Sequence, residues 1–248
     1  MFSIFLLSLP VLAMRSDINP MGSTFGSEPE LDIPGISSTR CNSTEWADDF
    51  LNVLNEREEE HYGRVAMNSV LQGMQNEPDF CEPALQTPAG AKLFLLALAE
   101  AFFVKESGCR PEAMNPHAPN GTAVGFGQMG VGDAQNHRCT TADGQRITTN
   151  AQLQNPENNA RCVAQIMVNC ASGLPNRHGN MAEQRHLNRI ADGNRGQFGV
   201  VGCFWQPVRK GMGGDGQGGS VNNQPNREQI QEVTRNFCSH AGRGTNHL

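Results

Sequence analysis

Apolar residues recur along this chain in two ways, as one-sided stripes and as one nearly unbroken run. Trp46, Phe50, Val53 and Leu54 follow one another at three- and four-residue steps, the spacing of an amphipathic helix. Ser43 stands ahead of them as an N-cap hydroxyl, and Glu45 places acid in the first turn. Residues 56–61 (EREEEH) read as a solvated face rather than a ligand cluster. A second amphipathic segment covers 65–74, and the proline-rich stretch 76–88, with Cys81, reads as a loop. The pattern then changes. Over 89–106 every residue of 93–99 and of 101–104 is apolar, and Lys92, Glu100, Lys105 and Glu106 fall at scattered helical angles. A helix apolar nearly all round is enclosed by the rest of the protein. Its charges argue against a membrane span. Gly108 and Pro111 supply the stop.

Beyond it, 109–150 is rich in Gly, Asn, Pro and Thr and reads mostly as loop. Asn155 before Pro156 marks the next helix start. That helix carries Val163, Ile166, Met167 and Cys170 on one stripe and stops at Gly173-Leu174-Pro175. A more polar helix is predicted at 181–191, a compact apolar stretch at 198–208, and a last helix at 227–237. Residues 211–219 (GMGGDGQGG) read as a flexible loop; no strand and no P-loop lysine frame them as a phosphate cradle. The expected fold is mainly α, a helical domain built around the buried helix 89–106.

The ends and the cysteines refine this picture. Residues 1–13 (MFSIFLLSLPVLA) form an apolar run ending in a small-residue cleavage pattern, the form of a signal peptide and too short to cross a bilayer. Residues 14–40, with recurrent Pro, Gly and Ser, read as a flexible lead, so the folded domain is expected at 41–248. All eight cysteines lie in that domain and none forms a C-x-x-C pair. Four disulfides in a secreted or periplasmic protein follow, with about a hundred possible pairings. Cys162 and Cys170 lie eight residues apart on one helix, about 12 Å at helical rise. A disulfide needs Cα atoms within about 7 Å, so these two pair elsewhere. Net charge is −6 with no basic patch, which argues against a nucleic-acid partner. His178 and His186 lack a carboxylate to complete a metal site, and no metal or other cofactor is expected. No transmembrane anchor is expected, and the protein is read as a monomer.

Glu106 is the residue with chemical promise. It sits at the C-terminal end of the buried helix, where the negative end of the macrodipole disfavours its ionised form. Burial beside Phe102 and Phe103 acts in the same direction. A carboxyl that keeps its proton near neutrality is what a general acid needs. The same position also suits an ordinary solvated helix-end glutamate, and position alone does not separate the two.

Three segments add a resemblance. Glu106-Ser107-Gly108-Cys109-Arg110-Pro111-Glu112-Ala113 resembles the E-S-G-x-x-P-x-A opening of lysozyme-like soluble lytic transglycosylases, a family similar to goose-type lysozymes. Ala123-Val124-Gly125-Phe126-Gly127-Gln128-Met129 resembles the family's A-x-G-L-M-Q-I segment. Leu153-Gln154-Asn155-Pro156-Glu157-Asn158-Asn159-Ala160 is similar to its L-x-D-P-x-x-N-I segment. The resemblance covers roughly 89–210. It implies a lysozyme-like domain with a substrate cleft, acting on the β-1,4 bond of peptidoglycan glycan strands with Glu106 as acid/base. It implies substrate contacts or support for the acid at Ser107, Gln128, Met129 and Asn159. The residue reading is compatible: Gly125 and Gly127 would let backbone approach a sugar, and the Gln128 amide would bind a hydroxyl or N-acetyl group. Structural hydrogen bonding is the alternative for Gln128 and Asn159.

Two departures stand out. The family's Tyr near the domain end has no counterpart; residues 202–206, with Trp205, stand in its place as a substrate contact. Goose-type enzymes carry an Asp after the Gly-rich segment, where this chain has Gly130; Asp133 is the nearest acid and the candidate second carboxylate. Without one, the family's route uses the sugar's N-acetyl group and ends in a 1,6-anhydro product. The departures also leave open a non-catalytic glycan-binding or inhibitor module, and a hydrolase for a modified, for example deacetylated, glycan.

Overall fold

The computed structural model describes residues 41, 44–77, 87–118, 121–173, 212–214, 220–222, 228–232 and 234–236. The chain divides into two units, Met1–Asp32 and Ile33–Leu248, and every described residue belongs to the second. In chain order the elements are α1 (Thr44–Glu58), α2 (His61–Asn76), α3 (Pro88–Ser107), β1 (Met114–Asn115), β2 (Ala123–Val124), α4 (Val131–Asn136), α5 (Asn150–Gln154), α6 (Pro156–Ser172), β3 (Met212–Gly214) and β4 (Ser220–Asn222). Residues 228–232 and 234–236 are helical too. The leading segments, the Ser43 cap, the 181–191 helix and the 198–208 stretch with Trp205 lie outside the described residues.

The domain is mainly helical, and α3 is its buried central helix. Phe94, Leu95, Leu98 and Phe103 are wholly enclosed, although they point in different directions around the axis. Local chemistry sets both ends of α3. The Thr87 hydroxyl accepts from the Gly90 N–H at 3.0 Å ahead of Pro88, and Gly108 turns left-handed at φ 62°. Gly108 N–H donates to Phe103 O and Val104 O, and Cys109 N–H donates to Phe103 O at 3.0 Å, so the last carbonyls of the helix are satisfied by the residues that leave it.

The stripe expected on the next helix understates its burial. From Asn159 to Val168, every residue of α6 is buried. Helices α1 and α2 pack mainly against it, and the loop after β2 closes another side. Its polar residues tolerate this because each has partners. Arg161 reaches Glu56 of α1 at 3.1 Å, and Gln165 accepts from Thr140 N–H at 2.9 Å. The acidic run 56–61 is therefore more than a solvated face. Glu56 pairs with Arg161, and Glu58 pairs with Lys92 of α3. The start and stop read from sequence hold: the Asn155 side chain accepts from Asn158 N–H, and Gly173 is left-handed at φ 67°.

Two readings gain detail. The 109–150 stretch is mostly loop as read, but it contains an antiparallel ladder, Met114 opposite Val124 and Asn115 opposite Ala123, and the short helix α4, and α5 starts at its end. In the Gly-rich stretch, β3 pairs antiparallel with β4, with Gly213 opposite Val221. Strands of two or three residues are too short to show an alternating pattern, which hides them from sequence.

Cys41 bonds to Cys109 and Cys139 to Cys162; Cys170 is disulfide-bonded as well. Cys162 and Cys170 indeed pair elsewhere, and no cysteine among the described residues is free. No described helix is long and apolar enough to cross a membrane.

Candidate active site

Glu106 lies in the last turn of α3, half-buried, with its pKa raised by burial against a smaller opposing pull from the Lys105 ammonium. Among the described residues its carboxyl has no hydrogen-bond partner. Nothing there stabilises the anion except Lys105, whose own Nζ donates to Gln229 Oε1 at 2.9 Å. The direction inferred from the sequence therefore holds: the environment favours the protonated acid.

The three resembling segments meet around this helix end. Phe103, one turn before Glu106, stacks on Phe126 of the Gly-rich loop with ring centroids 5.1 Å apart. On its other side, Trp46 meets Phe103 edge-on at 4.9 Å. The Asn159 amide of α6 grips the same loop. It accepts from Gly127 N–H at 2.9 Å and donates to Leu153 O at 2.8 Å and Val124 O at 3.2 Å. Asn159 is 1 % exposed and fully engaged, so its work is to hold the loop.

The glycines serve this packing. A Cβ on Gly125, which is left-handed at φ 76°, would lie 2.2 Å from Asn159 Nδ2. One on Gly127 would lie 2.8 Å from Val163 Cγ2. Both are glycine because the loop lies flat on α6.

Gln128 is set differently. Its backbone is left-handed at φ 47°, and its Nε2 donates to Gly125 O at 2.9 Å and to Ala113 O at 3.2 Å. Two carbonyl partners fix the amide orientation, since the carbonyl end would meet them with like partial charge. Oε1 is left as an acceptor on a half-buried side chain.

The remaining residues take backbone duties. The buried Ser107 hydroxyl donates to Phe103 O at 3.0 Å and accepts from Arg110 N–H at 3.3 Å. Met129 is wholly enclosed in the core. Asp133 Oδ2 accepts from Gly130 N–H at 3.2 Å, capping α4. None of these hydrogen-bonds Glu106. No group of three or more metal-ligating side chains occurs among the described residues.

Sequence reasoning missed the Trp46–Phe103–Phe126 column and the burial of Glu100, which is 4 % exposed inside α3. A lone acid between apolar residues was the available signal for Glu100.

No protein-family model matches the chain, and no curated protein matches it. Among solved structures it is similar to DslA from Bdellovibrio, solved as a glutamate-to-glutamine variant. The TM-score is 0.54 at 16 % identity, covering 83 % of this chain and 97 % of that one. A second DslA structure, altered at a different glutamate, aligns with a TM-score of 0.43 at 16 % identity, covering 73 % and 93 %. The first likeness extends the shared fold over most of both chains.

Proposed function

We propose that the chain is a glycosidase of lysozyme-like fold that cleaves the β-1,4 bond of peptidoglycan glycan strands, with Glu106 as general acid. The observation that carries this reading is the Glu106 carboxyl itself: half-buried at the end of an enclosed helix, pKa raised, without a described hydrogen-bond partner. A structural carboxylate is normally satisfied; this one is pushed toward its protonated form by burial and is left available. The shared fold with DslA, a protein solved with a glutamate replaced by glutamine, supports the same reading. The two described disulfides fit a secreted or periplasmic enzyme.

In this mechanism Glu106 gives its proton to the glycosidic oxygen as the bond breaks and positive charge develops on the sugar ring. Gln128 Oε1 accepts from a sugar hydroxyl or N-acetyl N–H. Asn159 acts through the loop, holding Gly127 so that Gln128 keeps its left-handed backbone. Asp133 serves the α4 cap, so its use as second carboxylate would cost that bond. The intramolecular route follows: the N-acetyl group assists, Glu106 recovers a proton from the sugar's 6-hydroxyl, and a 1,6-anhydro end forms.

A second reading keeps the acid and changes the glycan. The net charge of −6 favours a strand carrying free amines over a more anionic one. Substrate assistance is lost on such a strand, and water becomes the nucleophile.

The test is digestion of purified sacculi by wild type and Glu106→Gln, with mass spectrometry of the released fragments. Wild type is expected to release anhydro-ended fragments and the variant to lose about 10²-fold or more in rate. Reducing ends, or preference for chemically deacetylated sacculi, select the second reading. Binding without turnover, or full activity in Glu106→Gln, overturns catalysis by this residue.

A further inference from the structure

We infer that the Cys41–Cys109 disulfide is a positioning device for Glu106, an inference that rests on the catalytic reading above. Cys109 lies three residues past the acid. The two residues that end α3 are both left-handed, Gly108 at φ 62° and Cys109 at φ 63°. Glycine adopts that conformation freely, whereas a residue with a Cβ does so at a cost. Two constraints hold Cys109 there: its N–H bond to Phe103 O at 3.0 Å and its bond to Cys41.

The far end of the bridge is anchored equally. Cys41 is 3 % exposed, and its carbonyl accepts from the Trp46 indole N–H at 3.2 Å. Trp46 packs edge-on against Phe103. Phe103 O in turn accepts from both Cys109 N–H and the Ser107 hydroxyl. Cys41, Trp46, Phe103 and Cys109 therefore form a closed circuit, and the turn bearing Glu106 is the arc between its last two members. Helix ends fray, and no described hydrogen bond holds the Glu106 side chain in place. Its position is inherited from this last turn, and the bridge is the covalent part of what holds the turn.

The Cys139–Cys162 bridge instead ties the segment after α4 to α6.

The experiment compares wild type, Cys41→Ala/Cys109→Ala and Cys41→Ala/Cys109→Gly, each kept oxidised at its other cysteines. Amide hydrogen exchange at residues 108 and 109 is read against exchange at Ile166 in α6. In the double alanine variant, exchange at 108 and 109 is expected to rise at least tenfold while Ile166 changes less than twofold. On sacculi, kcat is expected to fall about tenfold with KM nearly unchanged. Glycine at 109, which favours the left-handed turn without the bridge, is expected to recover several-fold of the lost kcat. Unchanged exchange at 108 and 109, kcat within twofold of wild type, or no recovery with glycine overturns the inference. So does loss of a cooperative unfolding transition, because the bridge would then hold the whole fold. The exchange measurement needs no turnover. A wild type that does not cleave glycan sinks the enzymatic reading, whereas unchanged exchange sinks this one.

Discussion

At the scale of single residues, Glu106 shows how one environment serves both chemistry and stability. Its folded pKa is raised by burial above the ordinary 4.5. Between the unfolded and folded values, the folded state binds more protons than the unfolded one. Its contribution to stability is complete below 4.5 and is lost as pH rises through the folded pKa. Glu106→Gln removes the ionisable group, so the variant is expected to melt higher than wild type at neutral pH. The gap should close near pH 4, which differential scanning calorimetry at the two pH values would check. A lower melting temperature for the variant at neutral pH would mean that the anion is stabilised after all. The glycines make a second residue-scale contrast. Gly125→Ala forces a Cβ against Asn159 in a left-handed backbone and is expected to cost about 2–4 kcal/mol in urea unfolding. Gly132→Ala, inside α4 with nothing near its Cβ, should instead stabilise by about 0.5–1 kcal/mol.

At the scale of elements, α4 carries a pH signature of the opposite sign. His137 caps its C-terminus, and its carbonyl accepts from Asn169 Nδ2 of α6 at 3.0 Å. A helix C-terminus favours a charged imidazole by about 0.3–1 kcal/mol. Burial outweighs this and lowers the pKa from 6.5 to about 4. The unfolded chain thus takes up the proton first on acidification. Stability present above pH 6.5 is lost as pH falls toward 4, by about 3 kcal/mol. His137→Gln is expected to flatten that slope in urea titrations across this range; an unchanged slope would assign the acid sensitivity elsewhere. The elements were unequally legible beforehand. Helix α3 was readable because its apolar run is broken only by Glu100 and Gly108 follows it, and α6 because Asn155-Pro156 and Gly173 are local signals. The strands Met114–Asn115 and Ala123–Val124 were not readable, since two residues have no period. The purpose of Gly125 and Gly127 was hidden for another reason. Their steric partners, Asn159 and Val163, are more than thirty residues away in sequence and adjacent only after folding. Glu106 was legible because helix end and apolar neighbours are both local. The free acceptor on Gln128 was not, because it depends on where the carbonyls of Ala113 and Gly125 fall.

At the scale of the whole molecule, the cross-links among the described residues fall on the two enclosed helices, α3 at its end and α6 along its length. Removing the Cys139–Cys162 bridge as Cys139→Ala/Cys162→Ala releases a separation of 23 residues and is expected to cost about 3 kcal/mol. Circular-dichroism melting would show it, and an unchanged midpoint would mean that packing around α6 already restricts this segment. The placement of α6 has a further consequence, for the order of events during synthesis. Helices α1 and α2 are made early, but the helix that covers them begins at Pro156, roughly a hundred residues after α1 ends. At the usual pace of a ribosome, that gap is about 5–20 s. During it, only α3 is there to cover part of two apolar helix faces, and the rest stands open to chaperones, proteases and neighbouring nascent chains. The share of chains that reach the folded state is expected to rise the sooner α6 arrives.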